Sequence, residues 1–102
     1  MNKTDLVDAV KADLDSKGKV ILKKDVEAIV NNTIDQISEA LIRGDKVLLV
    51  GFGTFEPRER AARKGRAPQT KQAIDIPAQV TAVFHPGKLL KDKLKVLLGK
   101  GF

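Results

Sequence analysis

Residues 58 to 72 read RERAARKGRAPQTKQ, and the only apolar side chains in that run are three alanines and one proline. A stretch with so little to bury cannot contribute to a hydrophobic core, so any fold of this chain must leave it in water. It carries six cations, Arg58, Arg60, Arg63, Lys64, Arg66 and Lys71, against the single acid Glu59, a local charge of +5. Charge at that density calls for an anionic partner. Many such runs are merely disordered and solvated. Here the ends are anchored by strand-like sequence on both sides, and the cations are spread along the run rather than stacked in one block. Arg58 and Arg60, two positions apart, share one face of an extended strand and can follow a line of phosphates.

The flanks set the fold class. Leu6, Val7, Val10 and Leu14 recur at three- and four-residue spacing behind Asn2 and Asp5, a cap and its first-turn acid, which predicts an amphipathic helix. After the polar DSKGK break, Val26, Ile29, Val30, Ile34, Ile37 and Leu41 form one stripe, with Gly44 as a stop. The start of that second helix is poorly marked, because Lys23 and Lys24 stand where a capping residue is expected. From Lys46 the pattern turns extended through KVLLV and GFGTF, and returns in IDI and, beyond Pro77, at Val80, Ala82 and Phe84. The intervening residues have the outline of a hairpin with its tip around KGRAPQT. Pro86 and Gly87 punctuate the last strand, and Leu90, Leu94, Leu97 and Leu98 mark a third helical stripe with Lys88, Lys91 and Lys95 on its wet side.

At 102 residues and 42% hydrophobic content the chain has material for one domain with a modest core. The absence of cysteine removes disulfides and thiolate metal sites and suits a cytoplasmic setting. No apolar run near the N-terminus suggests a signal peptide or a membrane span, so a soluble protein is expected. Basicity is concentrated in the second half: residues 1 to 45 carry −2, whereas residues 56 to 72 and residues 85 to 102 each carry +4.

Catalytic chemistry is poorly provided for. His85 is the single histidine, placed by sequence in a strand-to-helix turn without a second ligand, and the acids lie mostly on the solvent sides of the first two helices. Gly51-Phe52-Gly53 lacks the third glycine of a dinucleotide fingerprint, and Gly87-Lys88 lacks both the first glycine and the hydroxyl residue of a phosphate loop. Neither an enzyme nor a bound cofactor or metal is expected.

The run GFGTFEPRERAARKGRAPQT, followed by IDIPA and FHPGKLLKDKL, resembles the bacterial HU/integration host factor family of histone-like DNA-bending proteins. The similarity extends from MNKTDLVDAV nearly to the C-terminus. It implies an α+β fold in an intertwined homodimer: a helical dimerisation part at 1–45, a three-stranded antiparallel sheet at 46–84 with a β-ribbon arm at 56–75, and a short C-terminal helix within 85–102. It further implies binding of double-stranded DNA through Arg58, Arg60, Arg63, Lys64, Arg66, Gln69, Thr70 and Lys71 of the arm, with Lys3, Lys88 and Lys91 on the flanks. Pro68 at the tip is implied to intercalate between base pairs, a mechanism for which this family is itself a standard example.

Several positions depart from the family pattern. Ala67 stands where asparagine usually precedes the tip proline, Lys71 replaces a frequent glycine, Ala82 occupies a common proline position, the connection at Lys17 to Lys19 is longer, and LLGKGF extends the C-terminus. The resemblance points to low-specificity binding and nucleoid compaction. A sequence-specific bender of the integration host factor type and an RNA-associated basic protein are the alternatives, although the lack of Trp and Tyr removes the usual stacking platform for single-stranded RNA. Independently of the resemblance, Ile29, Ile37, Phe52, Phe55 and Phe84 offer more apolar surface than so small a body can cover, which also favours a dimer.

Overall fold

A computed structural model of the chain describes every residue except Pro68, Lys100 and Phe102. The chain divides into two compact units, Met1–Glu39 and Ala40–Phe102.

The first unit holds α1 (Lys3–Ser16) and most of α2 (Lys23–Ile42). The expected cap is present as a reciprocal box: the Asn2 side chain accepts from the Asp5 amide at 2.9 Å, and the Asp5 carboxylate accepts from the Asn2 amide at 3.0 Å. Helix α1 ends where Gly18 takes φ +73°, so that the Gly18 and Lys19 amides return to the carbonyls of Asp15 and Leu14. Gly44, at φ +86°, closes α2 in the same way through Leu41 and Ala40. At the start of α2 no side chain caps the helix. The Leu22 carbonyl accepts from Asp25 and Val26, and Lys23 Nζ pairs with Asp8 Oδ1 of α1 at 2.9 Å. Val7 and Val26 are the buried apolar side chains among the described residues, each drawn from the stripe of its own helix.

In the second unit β1 (Val47–Leu49), β2 (Gly53–Arg60) and β5 (Gln79–Pro86) form an antiparallel sheet in the order β1-β2-β5. Phe52 N bonds to Leu49 O at 2.9 Å across the β1–β2 turn, whose third residue, Gly51, takes φ +85° as a type II turn requires. Register then sorts the side chains. Val47 and Phe84 both stand opposite Phe55, so Val47, Leu49, Phe55, Ala82 and Phe84 share one face. The other face carries Glu56, Arg58, Arg60, Thr81 and His85. The aromatic rings of Phe55 and Phe84 lie 4.7 Å apart, with Phe52 at 5.1 Å from Phe84. Gly53 lies under this cluster: a Cβ there would stand 2.5 Å from the His85 carbonyl oxygen and 2.6 Å from the Phe84 ring.

The expected hairpin is interrupted. β3 (Arg63–Arg66) and β4 (Ala73–Ile76) pair as a separate two-stranded sheet, and the β2–β5 ladder stops at Arg60 opposite Gln79. The break falls at Ala61-Ala62 on one side and Pro77-Ala78 on the other, where proline has no amide to continue the ladder. Arg58 and Arg60, read from sequence as part of the arm, therefore belong to the body's central strand.

Two further expectations are revised. His85 is not in a turn but in β5, opposite Thr54. The C-terminal helical stripe is divided into α3 (Lys88–Leu94) and α4 (Val96–Gly99), because around Lys95 the amides bond three residues back, Lys95 to Asp92 and Leu98 to Lys95.

Candidate nucleic-acid interface

The polar face of the three-stranded sheet leads into the ribbon. Arg58 and Arg60 alternate with Glu59 along β2 and share this face, as the two-residue period requires. Where the two ladders separate, Arg60, Arg63, Gln79 and Thr81 line an open cleft of about 440 Å³, with one cation from each sheet. Two guanidinium groups beside polar side chains suit a phosphate, which accepts paired hydrogen bonds from such a fork.

On the ribbon the cations divide between the faces. Arg63 stands opposite Ile76, whereas Lys64 stands opposite Asp75 and Arg66 opposite Ala73. An arm with charge on both faces can touch both walls of a groove. Near the tip the Ala67 amide bonds to the Gln72 carbonyl at 2.9 Å and the Lys71 amide to the Ala67 carbonyl at 2.8 Å. Lys71 is left-handed at φ +56°, a conformation glycine accepts more readily, and Arg66 Nη1 donates to the Lys71 carbonyl at 3.2 Å. Gln69 and Thr70 are exposed in this turn, with Thr70 Oγ1 accepting from the Gln72 amide at 3.4 Å. Pro68, expected to be the wedge, lies outside the described residues.

Lys88, which opens α3, and Lys91, three positions on in its last turn, are exposed. Gly87 docks this helix onto the sheet's turn through a 2.8 Å bond from its amide to the Phe52 carbonyl. Lys3 opens α1, in the other unit.

Glu56 is the residue that sequence reading passed over. Its side chain is only 17% exposed, and its carboxylate gathers three nitrogen partners: Arg58 Nη2 at 2.7 Å, His85 Nε2 at 2.8 Å and Lys46 Nζ at 3.5 Å. The hydrogen bond from His85 and then that from Arg58 hold its carboxyl far below the usual range, at about 2, with the charge of Lys46 contributing less. The signal was available: Glu56 and Arg58 are two apart on a strand, hence on one face. The link to His85 required the β2–β5 register.

A family model described as bacterial DNA-binding protein matches residues 1–95. The DNA-binding protein HU of Geobacillus stearothermophilus is 53% identical over 95 residues, covering 93% of this chain and all of the relative. DNA-binding protein HU 1 of Bacillus subtilis (strain 168) is 50% identical over 92 residues, covering 90% of this chain and 95% of the relative. Among solved structures, an Anabaena HU–DNA cocrystal structure is similar with a TM-score of 0.80 at 45% identity, covering 92% of this chain and 97% of that one. HU from Thermotoga maritima gives 0.62 at 34% identity, covering 92% and 98%. With α1 to α3, the three-stranded sheet and the cationic ribbon inside the matched stretch, the chain belongs to the family of bacterial DNA-binding proteins that includes HU.

Proposed function

We propose that this is a non-enzymatic architectural protein that binds duplex DNA as a homodimer, grips the minor groove with its two ribbons, bends the helix and compacts the nucleoid in the cytoplasm. The observation that carries the reading is the ribbon itself: a paired, extended element bearing Arg63, Lys64, Arg66 and Lys71, all exposed, on a chain whose relative is seen in a cocrystal with DNA. In this reading Arg58, Arg60 and Arg63 follow phosphates where ribbon and body meet, Lys64, Arg66, Gln69, Thr70 and Lys71 enter the groove, and Lys3, Lys88 and Lys91 hold the flanking DNA. Pro68 supplies the wedge. Low sequence preference follows from the contacts, because arginines in the minor groove read its width and potential more than base identity.

The dimer rests on apolar surface that a single chain leaves exposed: Ile29 is 57%, Phe52 45% and Val80 70% accessible. Residues 1–45 serve as the dimerisation part and residues 46–86 as the sheet with its arm, ahead of the C-terminal helical part.

A salt titration of binding to random-sequence duplex tests the mechanism. Neutralising ~6 phosphates gives a log–log slope near −5 by counterion release, and a flat response refutes it. Pro68→Ala, compared on linear, nicked and pre-bent duplexes, is expected to lose bending more than attachment; equal losses on all three remove the wedge.

A further inference from the structure

On the polar face of the sheet, three groups from two strands converge on one oxygen. Glu56 Oε1 lies 2.7 Å from Arg58 Nη2 and 2.8 Å from His85 Nε2, and these two nitrogens are themselves 3.3 Å apart. The hydrogen-bond roles cannot all be filled together. If His85 Nε2 donates to the carboxylate, it has no lone pair in the ring plane to accept from Arg58, and the shorter distance places the hydrogen on the Glu56 side. In the neutral imidazole Nδ1 is then the free base. A proton taken there from solvent turns the ring into a cation while leaving its bond to Glu56 intact.

We propose that Glu56 and His85 are positioning residues that govern how freely Arg58 reaches DNA: with neutral His85 the carboxylate holds Arg58 against the sheet, and protonation of His85 releases it. This rests on the DNA-binding reading above. The physical basis is local. One oxygen serves two donors, and once both are cations they repel each other at 3.3 Å while sharing a single anion. Imidazolium stays at the carboxylate, since the ring hangs from β5 by only two rotatable bonds. The Arg58 side chain is longer, 42% exposed, and can swing to a phosphate.

The surrounding charges leave this reasoning intact. Lys46, ahead of β1, sits 3.5 Å from the second carboxylate oxygen, Glu56 Oε2, and Lys88 follows His85 by three residues at the start of α3. Both are lysines, which add positive charge beside the cluster whatever the state of the imidazole. The hydrogen bonds from His85 and Arg58 favour the ionised form of Glu56 and keep that carboxylate charged throughout the range in which imidazole changes charge. His85 is the chain's single histidine, so this cluster holds the sequence's one imidazole.

The test is affinity for a short linear duplex at constant ionic strength, at about pH 8 and about pH 5.5, on either side of histidine titration. Wild type is expected to bind about threefold to tenfold more tightly at the acidic pH, the scale of one or two screened charge contacts. His85→Gln, which keeps the hydrogen bond to Glu56 but cannot be charged, is expected to bind like wild type at pH 8 and to lack the gain. Glu56→Gln is expected to bind tightly at both values, and Arg58→Gln to lose most of the gain. A gain that persists in His85→Gln, or that is undiminished in Arg58→Gln, overturns the proposal. Should a variant fail to fold, NMR of the wild type decides: the Arg58 side-chain Nε–H resonance must move in step with the His85 ring titration, and a stationary Arg58 signal overturns it. Failure of wild type to bind duplex at either pH would instead remove the DNA-binding reading on which the proposal stands.

Discussion

At the scale of single residues, two side chains carry opposite lessons about charge. Lys71 adds a cation at the ribbon tip but occupies left-handed backbone at φ +56°, where a Cβ is unwelcome. Lys71→Gly is expected to raise thermal stability by about 1 kcal/mol, the cost of that conformation, while shallowing the salt dependence of DNA binding by about one ion. Melting and salt titrations on the same variant check both halves. Glu56 is an acid placed among cations, and its folded-state value of about 2 lies below the ordinary 4.5. The stabilisation it provides is therefore complete above about pH 4.5 and is lost as the pH falls through about 2. Acid unfolding monitored by circular dichroism should shift to higher pH in Glu56→Ala, and the stability of the two proteins should converge below pH 2. Asn2 with Asp5 and Gly44 were legible from sequence because caps and stops are local. The Glu56 cluster was not, because its third member arrives from 29 positions away.

Elements show the same division between local and non-local information. Periodicity located both N-terminal helices, and alternation located the strands, since each pattern reflects one face turned to an apolar neighbour. What periodicity could not supply was where the arm begins. Arg58 and Arg60 look like the rest of the cationic run but are paired in the body sheet, because strand pairing with Gln79 and Thr81 outlasts the apolar alternation. The division of the C-terminal helix at Lys95 was hidden for a related reason: Leu94, Leu97 and Leu98 keep a helical spacing through it. The separation of the two ladders leads to a test of modularity. Replacing residues 61 to 78 with Asn-Gly closes β2 onto β5 through a two-residue turn at the Arg60–Gln79 pair. The shortened protein is expected to melt within a few degrees of wild type and to lose most duplex affinity; a collapse of folding would show that the ribbon supports the body.

For the molecule as a whole, the decisive quantity is apolar surface left in water. Val7 and Val26 are buried, yet Ile29, Phe52, Leu48 and Val80 remain accessible. If a second copy covers them, melting temperature must rise with protein concentration, because association stabilises only the folded form. Differential scanning calorimetry over a hundredfold range of concentration, with sedimentation equilibrium at each end, checks this; a concentration-independent transition from a monomer would oppose the dimer. The surplus of large apolar side chains was readable from composition. Which of them face outward was not, since that depends on the sheet register that puts Val47, Phe55 and Phe84 together.

The gap between the ladders at Ala61-Ala62 and Pro77-Ala78 also makes the ribbon an adjustable ruler. Two residues added to each of its strands would extend its reach by about 7 Å, at 3.3–3.4 Å per residue, and return every side chain to its original side. One residue added to each would exchange the sides, turning Arg63 to where Lys64 had been. A finger of this kind keeps its two faces only when its strands lengthen or shorten in even steps.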